Sequence, residues 1–551
     1  MKKSLVSLLS LFAFSSAYTM NAEQYNNLDQ PNNVEHSNVN QYSNANQYNN
    51  ADQYQATLAA GEELRALQAQ IQALESKIKQ LEGAYKKSEA TQKKIIAEQE
   101  KQEKVVASLP KTAPIAETVT VESEGGKPAK KFWRLFDTGT QMSISGFVKL
   151  TGIKDISGGT RAFEGDGAAA GRYYLAARNN ALKDDGTPPA RSFNLHGRES
   201  RFTLETISPL NGTDLRTCLE MDFLGDGGGN DIVANGYNVR LRKAYAKLHG
   251  FTIGQDCSTF CDMTTFPELV DMNGPVGNCQ IRQTQIRYSK EFGKDFLVDV
   301  AIENPESEVV APDGTAISSS SSKASAPYTK SLRAEKRLPD FVAAVKYKQD
   351  WGHVRLAGAI RENSVRIKND DGSTTTKNKM GYLFDLTGML KTFGNDAIVG
   401  QIGYGAGAGR YFTETMKYAT YLDANKKLHN EKAFHASIGY KHQWMEKYNL
   451  RSTIALGYIK MKHSSAFKEF IHAAVADPAA DATAAEISAI NTLKDTKNNI
   501  NKSLFSFHAN LKADITKNTQ VGIEYIMAKR KTELGKSGTL RRIAFAVQVN
   551  F

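Results

Sequence analysis

From Arg541 to Phe551 apolar and polar residues alternate strictly. Ile543, Phe545, Val547, Val549 and Phe551 fall on one face of an extended chain; Arg542, Ala544, Ala546, Gln548 and Asn550 fall on the other. Side chains of a strand point to opposite sides at every step, so one face is wholly apolar and the other small or polar. A soluble sandwich would satisfy this pattern. So would a closed barrel in lipid, apolar outward and polar toward a watery lumen. The run reaches Phe551 on its apolar face, on an aromatic ring, and this favours the barrel.

The same alternation recurs upstream. Met142, Ile144, Gly146, Val148 and Leu150 alternate with Ser143, Ser145, Phe147, Lys149 and Thr151. Further strands are predicted near 200–206, 213–223, 239–248, 251, 280–288, 296–303, 341–347, 353–361, 382–390, 396–405, 432–443, 450–460, 503–512 and 519–528. With the first and last this makes about 16, an even number as closed membrane barrels require. Some connections are short and turn-like, such as Asn211-Gly212 and Gln349-Asp350. Others are long and polar: 155–197, 304–338, 406–430 and 461–502. Short turns on one rim and long loops on the other is the outer-membrane arrangement. The Ala-rich stretch 466–492 predicts a helix within its loop.

The N-terminal part follows other patterns. Lys2 and Lys3 precede an apolar core from Leu5 to Phe14, and Ser15 and Ala17 fit a small-x-small cleavage site, so residues 1–17 read as a secretory signal peptide. Residues 18–57 are rich in Asn, Gln and Tyr, lack core-forming residues, and read as a disordered spacer. Residues 58–109 carry a heptad: Leu64, Ile71, Ile78 and Tyr85 at a; Leu67, Leu74 and Leu81 at d. This predicts a coiled coil, placed in the periplasm because it precedes the barrel. Its seam leaves two or three strands open. Residues 110–140, with Pro110 and Pro114, read as a linker, and 141–551 as the barrel.

Composition narrows the class. A mean hydropathy of −0.45 and the absence of a long apolar run after the N-terminus argue against a helical membrane protein. A barrel is compatible with both, because alternate residues face water. The net charge of +11 fits small anions or an acidic membrane surface; export makes nucleic acid a poor partner. The four cysteines, Cys218, Cys257, Cys261 and Cys279, belong to a chain bound for an oxidising compartment. A disulfide from Cys279 to either Cys257 or Cys261 is expected. C-x3-C without a neighbouring histidine does not make a zinc site, and the sequence calls for no metal and no cofactor.

Strand parity then assigns charge to the lumen. It turns Arg201 and Glu205 inward beside outward Phe202 and Leu204. It does the same for Arg216, Glu220 and Asp222, and for His353, Arg355 and Arg361. Arg240 and Arg242 share one face while Lys243 and Lys247 share the other, a conflict that a bulge would resolve. Arg282 and Arg287 have opposite parity, so both face inward only on an irregular strand. An inward arginine lowers the barrier for anions and offers a planar fork to carboxylate or phosphate. The connection 254–280 is acidic, with Asp256, Asp262, Glu268 and Asp271, and holds three cysteines. Folded inward, it would set acids against a basic wall and create a transverse field at a constriction.

At this point the sequence resembles a family. S-R-F-T-L-E-T, C-L-E-M-D-F, R-L-R-K-A-Y-A-K-L, G-Q-D-C-S-T-F-C-D, P-E-L-V-D-M-N-G-P-V-G and R-Q-T-Q-I-R-Y, in this order, look like the DcaP-like porins over residues 143–290. The resemblance implies a homotrimer of 16-stranded barrels in outer-membrane lipid, each with a periplasmic coiled coil. It also implies passive uptake of small anions, dicarboxylates among them, past Arg201, Arg240, Arg242, Arg282 and Arg287. The ending at Phe551 resembles the C-terminal aromatic signal read by the barrel-assembly machinery. Cys257, Cys261, Cys279 and the Asn/Tyr-rich leader depart from the family pattern. A phosphate-selective porin and a structural or adhesive barrel tethered by its coiled coil are the rival readings. An enzyme is not expected: histidines are scattered and no G-x-S-x-G occurs.

Overall fold

The structure, a computed structural model, describes residues 119–121, 130–135, 139–158, 174–180, 182, 192–225, 235–318, 331–415 and 418–551, with six helical positions between 72 and 83. The predicted signal peptide, the predicted polar spacer and the a and d positions of the predicted heptad lie outside these residues. The six helical positions, Gln72, Ser76, Lys77, Lys79, Gln80 and Gly83, are exposed and off that seam. The chain divides into two compact units, 1–112 and 113–551, and the barrel belongs to the second.

Strand-forming alternation produces the barrel. Its strands are β1 (Gln141–Ser157), β2 (Arg201–Leu210), β3 (Thr213–Gly225), β4 (Asn238–Leu248), β5 (Phe251–Cys257), β6 (Arg282–Phe292), β7 (Phe296–Glu303) and β8 (Asp340–Gln349). They continue as β9 (Gly352–Lys368), β10 (Thr374–Lys391), β11 (Ala397–Ala406), β12 (Lys432–Met445), β13 (Leu450–Lys462), β14 (Asn501–Asp514), β15 (Thr519–Thr532) and β16 (Ser537–Asn550). Each pairs antiparallel with the next, from β1–β2 to β15–β16. β16 pairs with β1, from Arg541↔Ser157 to Asn550↔Phe147, and closes the ring. The barrel is therefore closed and 16-stranded, as the alternation predicts. Closure leaves no strand edge unpaired in lipid.

The polarity is inverted relative to a soluble protein. On β9, Val354, Leu356 and Ile360 are 41%, 54% and 54% exposed, while His353, Arg355 and Arg361 are 5%, 5% and 0% exposed. Apolar side chains thus cover the outer wall and charged ones fill the interior. None of the described helices is long and apolar enough to cross a membrane.

The rims are unequal, as expected. Tight turns such as Asn211-Gly212 and His249-Gly250 place both residues at positive φ on one rim, where Asn and Gly accept the left-handed backbone readily. The long connections lie on the other. They carry α1 (Ser465–His472), α2 (Ala484–Asn498) and a small sheet of 308–310, 316–318, 420–422 and 428–430. Both helices fall in or beside the predicted Ala-rich stretch. Thr483 caps α2 in a capping box with Glu486. Two expectations need correction. The linker 110–140 contains strands 119–121 and 130–134, which pair with each other, and the second continues onto β1 through Trp133↔Met142. β9 and β10 run well beyond 353–361 and 382–390, because residues 362–380 extend the hairpin past the apolar band and lose the alternation that marks it.

Candidate functional site

The connection from β5 to β6, residues 258–281, folds into the lumen. Its backbone and acids bond to inward side chains around most of the ring. Asp262 meets His353 Nε2 at 2.9 Å and Lys346 Nζ at 3.3 Å. Glu268 accepts from Arg451 at 2.6 Å and from Lys512 at 3.0 Å. Ser506 Oγ accepts Val276 N–H at 3.0 Å, Gln401 Oε1 accepts Cys279 N–H at 3.2 Å, and Glu524 accepts Val270 N–H. Arg355 donates to the carbonyls of Thr259 and Phe260. Glycines make room: a Cβ on Gly439 would meet Pro267 at 2.8 Å, one on Gly457 the Val276 carbonyl at 2.0 Å, and one on Gly522 Val270 at 2.9 Å. All three face inward under the loop.

Two more segments pack on this loop. Leu175 N–H donates to Asp271 at 2.7 Å. Tyr411 and Phe412, between β11 and β12, set their rings 5.4 Å and 6.3 Å from that of Phe260. The Cys261–Cys279 disulfide staples the loop across 18 residues, one of the two expected pairings, and leaves Cys257 free beside it in sequence.

The loop leans to one side. Among the described residues, none of its hydrogen bonds reaches β2, β3 or β4. That wall is where the arginines gather. Arg240 forks onto Asp222 at 2.9 and 2.7 Å. Arg242 donates to Glu220 and to Asp222, each at 2.8 Å. Arg201 lies 3.9 Å from Glu220 and over the Phe147 ring. Arg282 makes no ion pair among the described residues, yet it stands within electrostatic reach of Arg242, Arg240 and Arg201. Several guanidinium groups therefore share two carboxylates, and the surplus positive charge faces the lumen.

Register explains how they meet. Between β3 and β4, Glu220 pairs with Lys243 and Met221 with Leu241, so Arg242 is the extra residue of a bulge. The bulge lets Arg240, Arg242, Lys243 and Lys247 all face inward, which resolves the parity conflict in that strand. Arg287 faces inward opposite Thr252, and Arg282 opposite Cys257 has the other parity. The β4–β5 ladder stops at Ala244↔Gln255, and beyond that point half-buried Arg282 stands beside the arginines of β4.

Other predicted residues take other places. Arg216 faces inward but sits near the tight-turn rim, 3.6 Å from Asp214. Arg355 lies under the loop and holds it. Asp256 belongs to β5 and pairs with Arg287 at 3.2 Å. The expected transverse field from the loop's acids is not what the geometry builds. Asp262 and Glu268 turn to the far wall and are neutralised there, because those strands supply His353, Lys346, Arg451 and Lys512. Burial opposes the charge on Glu268, but Lys512 and Arg451 outweigh it and bring the carboxyl down to about 2. Burial likewise opposes Asp262, and His353, Lys346 and Thr264 hold it far below the usual range. Asp271 is pushed up by burial and then by Glu524.

The loop's anchors on β12–β15 were not foreseen as such. Inward parity together with glycine at inward positions 439, 457 and 522 is the signal that could have found them. Among them, Ser506, His508 and Glu524 line up: His508 Nδ1 lies 2.8 Å from Glu524 and Nε2 lies 3.2 Å from Ser506 Oγ. The spacing is that of a hydrolase triad. All three side chains are buried, Ser506 Oγ is occupied by Val276 N–H, and Gly274 lies on the His508 ring. Their role is to seat the loop.

A closed barrel, apolar outside and charged inside, with a loop narrowing its lumen, is an outer-membrane channel. The family model of the DcaP outer membrane protein matches residues 139–474, and the chain belongs to that family. The outer membrane channel DcaP of Acinetobacter baumannii is similar in structure, with a TM-score of 0.56 at 17% identity over 75% of this chain and 98% of that one. An anion-selective porin from Comamonas acidovorans aligns with a TM-score of 0.41 at 11% identity, over 75% of this chain and all of that one. The trimer form of OmpT of Vibrio cholerae aligns with 0.39 at 11%, with the same coverage. A search of curated protein sequences returned no match.

Proposed function

We propose that this porin is anion-preferring and passes small dicarboxylates. The observation that supports this is the wall of β2–β4, where Arg201, Arg240 and Arg242 share Glu220 and Asp222 and Arg282 of β6 stands beside them, while none of the narrowing loop's hydrogen bonds among the described residues reaches β2, β3 or β4. A cation would have to pass that surplus charge, and a carboxylate would find planar forks suited to it. We also propose that three copies assemble and that residues 58–109 form a coiled coil in the periplasm; the Leu and Ile heptad supports association of helices.

The test is the reversal potential of the refolded protein in a planar bilayer under a salt gradient, repeated with succinate and with phosphate. Anion preference with block by succinate is the expected result. Block by phosphate alone would replace the dicarboxylate with phosphate as the solute. Open channels without anion preference would overturn the reading.

A further inference from the structure

We propose a second anion-binding subsite, separate from the arginine cluster and near the tight-turn rim, built on one rung of the sheet. This inference rests on the anion-preferring reading above and adds a place where the solute pauses.

The rung is fixed by register. Arg216 on β3 lies directly opposite Lys247 on β4. Lys247 lies opposite Thr252 on β5, and Thr252 lies opposite Arg287 on β6. Residues directly opposite share a face, so four neighbouring strands present three cations and a hydroxyl side by side toward the lumen. Like charges directly opposite each other cost stability in a sheet. Here Arg216 and Lys247 face each other with no carboxylate between them. Arg216 has Asp214 at 3.6 Å and Arg287 has Asp256 at 3.2 Å, but Lys247 has no carboxylate partner among the described residues. These side chains border a cavity of about 220 Å³, whose lining adds His249 and the Ser289 hydroxyl. That volume admits a carboxylate or phosphate group. Asp214 and Asp256 stand beside Arg216 and Arg287, and Ser289 donates to Asp299 at 2.6 Å, so among the described residues Lys247 and Thr252 are the donors of this rung without a carboxylate partner.

The rung is distinct from the upper cluster. Arg216 and Asp222 are six residues apart on β3, about 20 Å at roughly 3.4 Å per residue. The rung next to Arg216 holds Cys218, Tyr245, Gly254 and Gln285 on β3 to β6, none of them a cation, and Glu205 of β2 lies opposite Cys218. A solute anion leaving Arg240 and Arg242 therefore crosses a rung without a cation on these strands before it meets Arg216, Lys247 and Arg287. Conduction favours sites in series, each weak enough to release its ion to the next. The tight turns mark this rim as the periplasmic one in the outer-membrane arrangement, so the subsite is where the anion is handed to the periplasm.

The experiment uses the full-length refolded channel. Succinate and inorganic phosphate are added to one chamber at a time, and the half-blocking concentration is measured for the wild type, Lys247→Gln and Thr252→Val. Heat-modifiable gel mobility confirms that each variant is folded. For Lys247→Gln the half-blocking concentration is expected to rise about two- to five-fold from the tight-turn side, the span of one exposed charge pair, and by less from the loop side. Thr252→Val should shift it in the same direction and less. A folded Lys247→Gln channel with unchanged block from both chambers would overturn the subsite while leaving anion preference intact. A wild type without anion preference would overturn the parent reading and the subsite with it. Succinate and phosphate shifting equally marks a general oxyanion site; succinate alone shifting marks a carboxylate site.

Discussion

At the residue scale, the lumen divides its arginines into two jobs. Arg242 and Arg240 are paired yet border surplus charge; Arg282 borders it without a pair; Arg355 and Arg451 are committed to holding the loop. Substitution should separate these jobs. Arg282→Gln is expected to lower the anion-to-cation permeability ratio about two- to five-fold, since one partly screened charge contributes on the order of 1 kcal/mol or less; reversal potentials measure this. Arg355→Gln should leave that ratio nearly unchanged and instead add open-channel current noise, because the carbonyls of Thr259 and Phe260 lose their donor. Equal effects on selectivity would refute the division. Parity turned Arg201 and Arg355 inward alike, because it reports which face a side chain takes and says nothing of what covers it, and it left Arg451 unmarked.

Glu268 carries a pH dependence at the same scale. Its carboxyl falls from an ordinary 4.5 to about 2 when the loop is docked between Arg451 and Lys512. A depressed docked-state value stabilises docking fully above the free value, and that contribution is lost as pH falls from about 4.5 through about 2. Channel recordings should thus show a quiet, docked loop at pH 6, with flickering or a changed conductance appearing below about pH 4. Glu268→Gln should lose this dependence in that range. A wild-type trace unchanged down to pH 2.5 would contradict it.

At the element scale, the inward loop is a fitted part. Gly439, Gly457 and Gly522 clear its path, and Cys261–Cys279 fixes its fold. Gly457→Val would place a side chain against the Val276 carbonyl and Pro275, so the loop has to leave its seat on β13. The expected outcome is a larger and noisier single-channel conductance with the barrel still folded, as shown by gel mobility. An unaltered conductance would mean the loop does not set the narrowest point. The sequence announced that connection 254–280 was unusual through its acids and cysteines, and an inward fold was legible as one of its readings. Where its acids would point was not legible, because their partners, Lys346, His353, Arg451 and Lys512, lie far along the chain on strands whose inward charges look alike. The bulge at Arg242 was legible as a conflict of parity; its position came only from the pairing of Glu220 with Lys243 and Met221 with Leu241.

At the scale of the whole molecule, closure decides stability and assembly together. Strand number and inside-out polarity were legible because period-two alternation survives across the bilayer thickness; the extended hairpin of β9 and β10 was not, since past the apolar band both faces meet water. The seam between β16 and β1 ends on Phe551, whose N–H and carbonyl exchange hydrogen bonds with Gly146, each at 3.1 Å. A Cβ on Gly146 would lie 2.9 Å from the Phe551 ring, so the ring packs over the glycine on the lipid face. Phe551→Ala keeps the backbone bonds and removes only the ring. If the ring serves chiefly as the mark read by the assembly machinery, the variant should refold in detergent with near wild-type yield and heat-modifiable mobility. In cells, its folded fraction in outer-membrane extracts should drop several-fold. A parallel loss in both settings would instead assign the ring to closing the seam, and no loss in cells would remove Phe551 from the assembly step.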